Sequence, residues 1–315
     1  MKVIDHINAA KETLFSFEIL PPLKGKSIQS IYNGIDPLME FKPKFINVTY
    51  HREEYVYKKR NQGLLEKVVI RKRPGTVGIC AAIMHKYHVD AVPHLICGGF
   101  SKEDTENALI DLQFLGIDNV LALRGDPIKT EATFNPTENG HRYASELIEQ
   151  IKNMNCGNYI DEVKLEPTNF CIGAAGYPEK HFEAMNMETD LKYLKQKVET
   201  GADYIVTQLF YDNNKYFDFV AKCRTAGINV PIIPGIKPIT NLRHISFLPQ
   251  FFHIDLPQEL SLELLKCKSD DDVRNVGIEW GIHQSKELKK SGVPCIHYYT
   301  MSNSSEVKEI ASELF

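Results

Sequence analysis

Short runs of apolar and β-branched residues recur along the chain at Leu14–Ile19, 45–49, 91–96, Asn119–Leu123, 169–173, Tyr204–Thr207, 231–234 and 294–299. They are continuous rather than alternating, as strands of a parallel sheet covered on both faces read. Between them the apolar period lengthens to that of a helix. Ala108, Leu109, Leu112 and Leu115 share one stripe that stops at Gly116, and Met187, Leu191, Leu194 and Val198 recur at i, i+4, i+7 and i+11 before Gly201. Tyr216, Phe219, Val220 and Cys223 form a third stripe ending at Gly227, and Val273, Val276 and Trp280 open a fourth that closes near Gly292. Pro37 predicts the opening of a second short helix in the first crossover, with Asp36 as its cap.

Strand and helix thus alternate about eight times without a Pro/Gly/Ser-rich linker. The economical α/β architecture is a single (β/α)8 TIM barrel over residues 1–315, with no separate regulatory domain expected; a doubly wound open sheet is the alternative, because periodicity does not show whether a sheet closes. A Gly-x-Gly-x-x-Gly turn and a Gly-x-x-x-x-Gly-Lys loop are both missing, so any nucleotide is held another way.

Composition narrows the class. The 315 residues are 43% hydrophobic and 25% charged, which excludes a disordered chain. Thirty-seven Lys and Arg against 41 Asp and Glu leave a net charge of −4, which argues against an extended nucleic-acid surface. The seven cysteines are scattered without a CxxC pair and the histidines are dispersed, so a reduced, cytoplasmic chain with no metal site is expected. Residues 1–13 carry Lys2, Asp5, Lys11 and Glu12, and no long apolar run follows, so neither a signal peptide nor a membrane span is expected. Residues 50–89, with His51, Arg52, Lys58 to Arg60 and Arg71 to Arg73 before Pro74-Gly75, read as a solvated helix and a long loop rather than a nucleic-acid arm.

In a barrel of this kind, chemistry sits at the C-terminal ends of the strands. Glu18 stands there between Phe17 and Ile19 with Pro21-Pro22 behind it; desolvation would raise its pKa and suit it to proton donation, the alternative being a rim glutamate paired with a basic residue. Arg124-Gly125-Asp126 leaves the strand at Leu123, where the glycine lets backbone approach a ligand. His94 reads more readily as a hydrogen-bonded core histidine than as a metal ligand, and Cys97 lacks a local base partner for nucleophilic chemistry. Asp190, Tyr193 and Lys197 share one helix face, which fits either a surface ion pair or a polar ligand contact.

Taken in order, the strand-end motifs resemble those of the 5,10-methylenetetrahydrofolate reductases. They are Phe15-Ser16-Phe17-Glu18-Ile19-Leu20-Pro21-Pro22, Val48-Thr49-Tyr50, Pro93-His94-Leu95, Leu123-Arg124-Gly125-Asp126, Tyr143-Ala144-Ser145, Gly176-Tyr177-Pro178-Glu179-Lys180-His181, Thr207-Gln208-Leu209-Phe210-Tyr211, Pro234-Gly235-Ile236-Lys237-Pro238 and His297-Tyr298-Tyr299-Thr300. The resemblance implies a flavin-dependent (β/α)8 barrel with FAD across its C-terminal mouth, where NADH or NADPH and the folate substrate occupy one flavin face in turn. Its cofactor positions fall on Thr49 at the nicotinamide, and on Tyr50, His94, Arg124, Gly125, Asp126, Tyr143, Ala144, Tyr177, His181, Ala184, Asp190 and Lys197 at the FAD. Its folate positions fall on Glu18, Asp126, Gln208, His244, Leu248 and Tyr298, with Glu18 and Asp126 in the catalytic roles.

By the same resemblance the expected reaction is FAD-dependent reduction of 5,10-methylenetetrahydrofolate to 5-methyltetrahydrofolate, in one-carbon metabolism and methionine supply, by a homo-oligomer that contacts neither nucleic acid nor membrane. Inhibition by S-adenosylmethionine, seen in longer members, is not expected. Two departures stand out. Residues 50–89 are longer than in the shorter bacterial members, and Tyr299-Thr300-Met301-Ser302-Asn303 lacks the arginine that the family places where Asn303 stands, at the folate tail. A flavin-binding subunit of a redox assembly and a flavin-free barrel lyase are the competing readings; a visible spectrum separates them.

Overall fold

The computed structural model describes every residue except Lys129, Thr130, Ala132, Glu162, Val163 and Ser302. Its strands are β1 (Leu14–Ile19), β2 (Phe45–Val48), β3 (Glu54–Lys59), β4 (Leu65–Ile70), β5 (Asp90–Ile96), β6 (Asn119–Leu123), β7 (Cys171–Gly176), β8 (Tyr204–Thr207), β9 (Ile232–Ile233), β10 (Gly235–Ile236) and β11 (Cys295–Tyr299). The main sheet runs β10-β11-β1-β2-β5-β6-β7-β8-β9, all parallel.

The two ends of that order are consecutive in the chain, split only at Pro234, which has no N–H to give to a ladder. Counting β9 and β10 as one broken strand, eight strands close into a ring. The expected (β/α)8 barrel is the fold, and the open doubly wound alternative falls away. At the break, β9 pairs with β8 and β10 with β11. The Tyr299 hydroxyl donates to Thr207 O at 2.5 Å and Gly235 N donates to Thr207 Oγ1 at 3.0 Å, so polar bonds bridge the seam. A Cβ at Gly235 would lie 2.4 Å from Thr207 O, so nothing larger fits there.

Helices cover the outside: α1 (Val3–Ala9), α2 (Gln29–Ile35), α3 (Thr76–Tyr87), α4 (Lys102–Phe114), α5 (Ala144–Asn155), α6 (Met187–Thr200), α7 (Asn213–Thr225), α8 (Leu242–Phe252), α9 (Gln258–Leu264), α10 (Asp270–Lys290) and α11 (Ser305–Ser312). The four helical stripes read from the sequence fall on α4, α6, α7 and α10, with Leu115 as the C-cap just beyond α4. Along each strand the side chains alternate between this helix layer and the barrel interior. Phe15, Phe17 and Ile19 pack outward. The lower interior is filled by Phe45, Val92, Leu121, Cys171, Tyr204, Val206, Ile233 and Cys295, with Val3 of α1 plugging the floor. Higher up the interior turns polar.

Two local expectations are corrected. Asp36 does not cap the second short helix: Ile35 holds that position of a 3₁₀ segment (Asp36–Phe41), and the Asp36 carboxylate instead accepts from the Tyr87 hydroxyl at 2.6 Å and pairs with Lys86. The solvated helix expected after Tyr50 is an antiparallel hairpin of β3 and β4, closed by a turn with Gln62 at φ 68° and Gly63 at φ 76°, and a helix, α3, begins only at Thr76. Tyr55 and Tyr57 of this hairpin point to solvent, so it buries too little apolar surface to register as core.

Candidate active site

At the top of the interior, β1, β2, β5 and β11 each turn one polar residue inward: Glu18, Asn47, His94 and His297, all buried. Glu18 Oε2 lies 3.7 Å from His94 Nε2 and 3.9 Å from His297 Nε2. The alternative of a glutamate paired with a basic residue is thus met by two imidazoles instead of Lys or Arg. Burial acts to push the Glu18 carboxyl up, but His297, His94 and Lys237 together outweigh it and hold the group below the usual carboxylate range. The expected upward shift is therefore reversed: a strand end tells that a carboxyl is desolvated, not which cations distant strands bring to it. His94 is pushed down to about 4, chiefly by burial, so it is a neutral imidazole at pH 7 and sits 3.3 Å from Asn47 Nδ2.

The other expected residues line two sides of the same mouth. After β6, Arg124 forms a two-pronged pair with Glu183, and Gly125 takes φ 82°, where a Cβ would press on Ile96 at 3.2 Å. Burial pushes Asp126 up, against the pull of Arg124. After β7, the Tyr177 and His181 rings meet edge to face at 4.6 Å, Asp190 accepts the His181 N–H at 2.9 Å, and Ala184 N bonds His181 O. Lys197 reaches from α6 to Ala175 O at 2.6 Å, and burial brings its ammonium down to about 8. Asp190 and Lys197 thus each engage the β7 exit, which the surface-pair alternative does not describe. Tyr193, on the same helix, is exposed.

After β2, Thr49 carries a buried Oγ1 with no partner, and the Tyr50 ring tilts against Phe100 at 4.9 Å. Tyr143 and Ala144 form the start of α5, with Tyr143 exposed. Gln208 folds its Oε1 back onto Leu209 N at 2.9 Å.

Three folate expectations separate here. His244, at the start of α8, takes Thr240 N on its Nδ1 at 3.2 Å and is pushed down to about 4 by burial. Leu248 is core of the satellite cluster beneath α8. Tyr298 points away from the mouth: its hydroxyl donates to Ser285 Oγ of α10 at 2.9 Å in the outer layer, because strand alternation turns 297 and 299 inward and 298 outward. Tyr299 is the tyrosine on the interior face. Asn303 accepts from Ser305 N and Oγ at the start of α11, while Ser302 lies outside the described residues.

Position alone left Lys237 and His297 without a role, although both lie in quoted motifs. Cys97 is buried with its thiol pushed up to about 12, which leaves it inert as a nucleophile. Among the described residues no group of three or more His, Cys, Asp or Glu side chains is placed to hold a metal ion, and no helix is long and apolar enough to cross a membrane.

A (β/α)8 barrel whose strand ends gather a buried carboxyl and two imidazoles, flanked by Arg124 and Lys197, has its polar groups where enzymes of this fold carry their chemistry. Comparison with known proteins narrows this. The methylenetetrahydrofolate reductase family model matches residues 2–314. Methylenetetrahydrofolate reductase 1 of Schizosaccharomyces pombe is 35% identical over all of this chain and 48% of its own length, and the 5,10-methylenetetrahydrofolate reductase of Salmonella typhimurium is 31% identical over 92% of this chain and 86% of its own. An uncharacterized Clostridium thermocellum protein, described as binding two copies of 5-methyl-5,6,7,8-tetrahydrofolic acid, shares the fold at a TM-score of 0.58 and 13% identity, over 99% of this chain and 97% of that one. The chain belongs to the methylenetetrahydrofolate reductase family, whose members are oxidoreductases. It spans about half the length of the eukaryotic relatives it matches.

Proposed function

We propose that this chain reduces 5,10-methylenetetrahydrofolate to 5-methyltetrahydrofolate, with FAD as the hydride carrier and NADH or NADPH as donor, the donor and the folate using one mouth in turn. The observation that carries the reading is Glu18, a buried carboxyl at the barrel mouth in a chain of this family. The reaction opens a five-membered ring at a folate nitrogen, N10, and that nitrogen must be protonated as the ring opens. Glu18 is the acid. Asp126 and Gln208 hold the pterin, and burial brings Asp126 toward the neutral form that can donate to a ring nitrogen.

The β6–β7 side fits a dinucleotide. Lys197 is a partly buried cation with a carbonyl partner, Arg124 is an anion receptor already answered by a carboxylate, and Gly125 leaves room for close backbone approach. Arg124 and Lys197 would hold the diphosphate, Tyr50, His94, Tyr177 and His181 would enclose the rings, and Asp190 would keep His181 in place. Tyr143, Ala144 and Ala184 would border the adenosine end, and the free Thr49 Oγ1 suits the carboxamide of a nicotinamide. FAD, when bound, supplies the hydride; the protein's work is to bind, orient and protonate.

The test is direct. The purified protein should be yellow or take up one FAD, oxidise NADH or NADPH with a quinone acceptor, and reduce the folate anaerobically. A protein that takes up no flavin refutes the cofactor, and one that oxidises nicotinamide with a quinone yet never reduces the folate refutes the substrate.

A further inference from the structure

Glu18 poses a problem that its own surroundings answer. An acid must hold a proton at neutral pH, yet the basic groups around Glu18 hold it below the usual range. Burial also leaves it little solvent from which to recover the proton it spends. Two imidazoles face it, and they are not equivalent. His94 Nε2 already has Asn47 Nδ2 at 3.3 Å. His297 Nε2 is buried and has no partner, while its Nδ1 sits 3.0 Å from Ser16 Oγ. Ser16 Oγ lies 3.2 Å from Cys295 Sγ, so the hydroxyl can accept from His297 Nδ1–H while donating onward to sulfur. That chain accommodates the Nδ1–H form, in which the Nε2 lone pair faces Glu18.

We propose that His297 is the positioning residue for Glu18, the two side chains sharing one proton between Glu18 Oε2 and His297 Nε2. This rests on the reading of Glu18 as the acid that protonates the folate. Their 3.9 Å separation is of the kind that tightens to a hydrogen bond when a substrate closes the site. On delivery the Glu18 O–H bond breaks and the N10–H bond forms; the pair is left as a carboxylate facing the bare Nε2 of a neutral imidazole, an arrangement that draws one proton back from solvent. No electrons move in this step. The remaining charged or titratable groups facing the pair are His94, Lys237, His51 and Tyr299. Of these His94 is neutral near pH 7, and His51 is also pushed down, chiefly by burial.

A shared proton has a signature that a packing role lacks. In a coupled pair the carboxyl becomes protonated only when the second proton arrives, whereas the last proton leaves at higher pH than it would from a lone carboxyl. Two measurements therefore separate in the native protein and converge when His297 is replaced by the uncharged His297→Gln. The first is infrared titration of the carboxyl band that disappears in Glu18→Gln; its midpoint should rise in His297→Gln. The second is the folate half-reaction against pH, whose alkaline limb should move to lower pH, with a loss of about 10²-fold at pH 8 recovered largely at pH 6. Nicotinamide oxidation with a quinone acceptor should stay within about two-fold of the native rate, since it needs no such proton.

Ser16→Ala, which keeps the imidazole but frees its Nδ1, should move both measurements in the same directions by less, and serves if His297→Gln folds poorly. An unmoved infrared midpoint, or a folate loss equal at every pH, overturns the proposal. If the native protein reduces no folate at any pH, the reading of the function fails, and the infrared titration still decides whether the pair shares a proton.

Discussion

Replacing Lys197 by methionine should make the protein hold its cofactor less well and, without the cofactor, stand more heat. Methionine keeps the length and apolar stem of lysine while removing the charge. Among the described residues the ammonium has one carbonyl partner, Ala175 O, and burial brings it down to about 8 from 10.5. That difference corresponds to roughly 3 kcal/mol if the site were fully dry. The lysine is only partly covered along its length, so about 1–2 kcal/mol is the fitting expectation after solvent screening. The folded-state value is depressed, so the charged form is what the fold disfavours. The penalty is complete below about pH 8 and fades as pH rises toward 10.5, where the unfolded chain also loses its proton.

For a chain of this size 1–2 kcal/mol raises the melting temperature by about 2–4 °C. A diphosphate reverses the sign, because the ammonium then forms charge-assisted bonds of about 1.5–3 kcal/mol, and Lys197→Met should weaken FAD binding by roughly 10–150-fold. Thermal melts of flavin-free native and variant protein at pH 7 and pH 10, with flavin stoichiometry after dialysis, read both effects. A variant that melts lower without flavin and keeps full flavin after dialysis refutes the reasoning.

Three further outcomes are expected. Glu18→Gln should keep FAD and nicotinamide oxidation while losing folate reduction by about 10²–10⁴-fold; equal losses in both half-reactions would make Glu18 structural. Asn303→Arg should restore about 1 kcal/mol of binding to the folate tail, several-fold in Michaelis constant with little change in turnover, and a flavin-spectrum titration with a folate ligand that shows no tightening removes the tail contact. Glu179 is half-buried, accepts Asp255 N at 3.0 Å, and is pushed up to about 7 chiefly by desolvation. Its folded-state value is raised, so its ionisation costs stability as pH rises from 4.5 through 7, and Glu179→Gln should raise the melting temperature at pH 8 but not at pH 4. An equal change at both pH values would count against it.

What the chain made legible was whatever depended on burial of whole runs. The eight barrel strands carry apolar residues on both faces, so they stand out against any register, and the four helical stripes are visible for the same reason. The hairpin was missed because its Tyr55, Tyr57 and Val69 are exposed, although the aromatic and β-branched alternation on either side of Asn61-Gln62-Gly63 was a usable signal. Tyr298 was chosen over Tyr299 by a one-residue phase, which strand alternation from the inward His297 would have settled. The sign of the Glu18 shift and the role proposed for His297 were out of reach for a different reason. Ser16 and His297 are 281 positions apart and meet only because β1 and β11 are neighbours in the ring.

The break at Pro234 makes the barrel a clamp with a fastening rather than a seamless hoop. Everywhere else two neighbouring strands share a ladder; here one strand hands over from β8 to β11, and Tyr299 and Gly235 latch both sides to Thr207. Both latches lie within a residue or two of His297 and Pro234, and His297 N itself bonds Pro234 O at 3.0 Å across the joint. Amide exchange in the barrel should be fastest along this line, and a wedge such as Gly235→Ala would spread the clamp and carry His297 away from Glu18 without touching either. The joint in the wall lies beside the pair proposed to share a proton, so loosening of the ring and loss of folate reduction should rise together on heating, ahead of global melting.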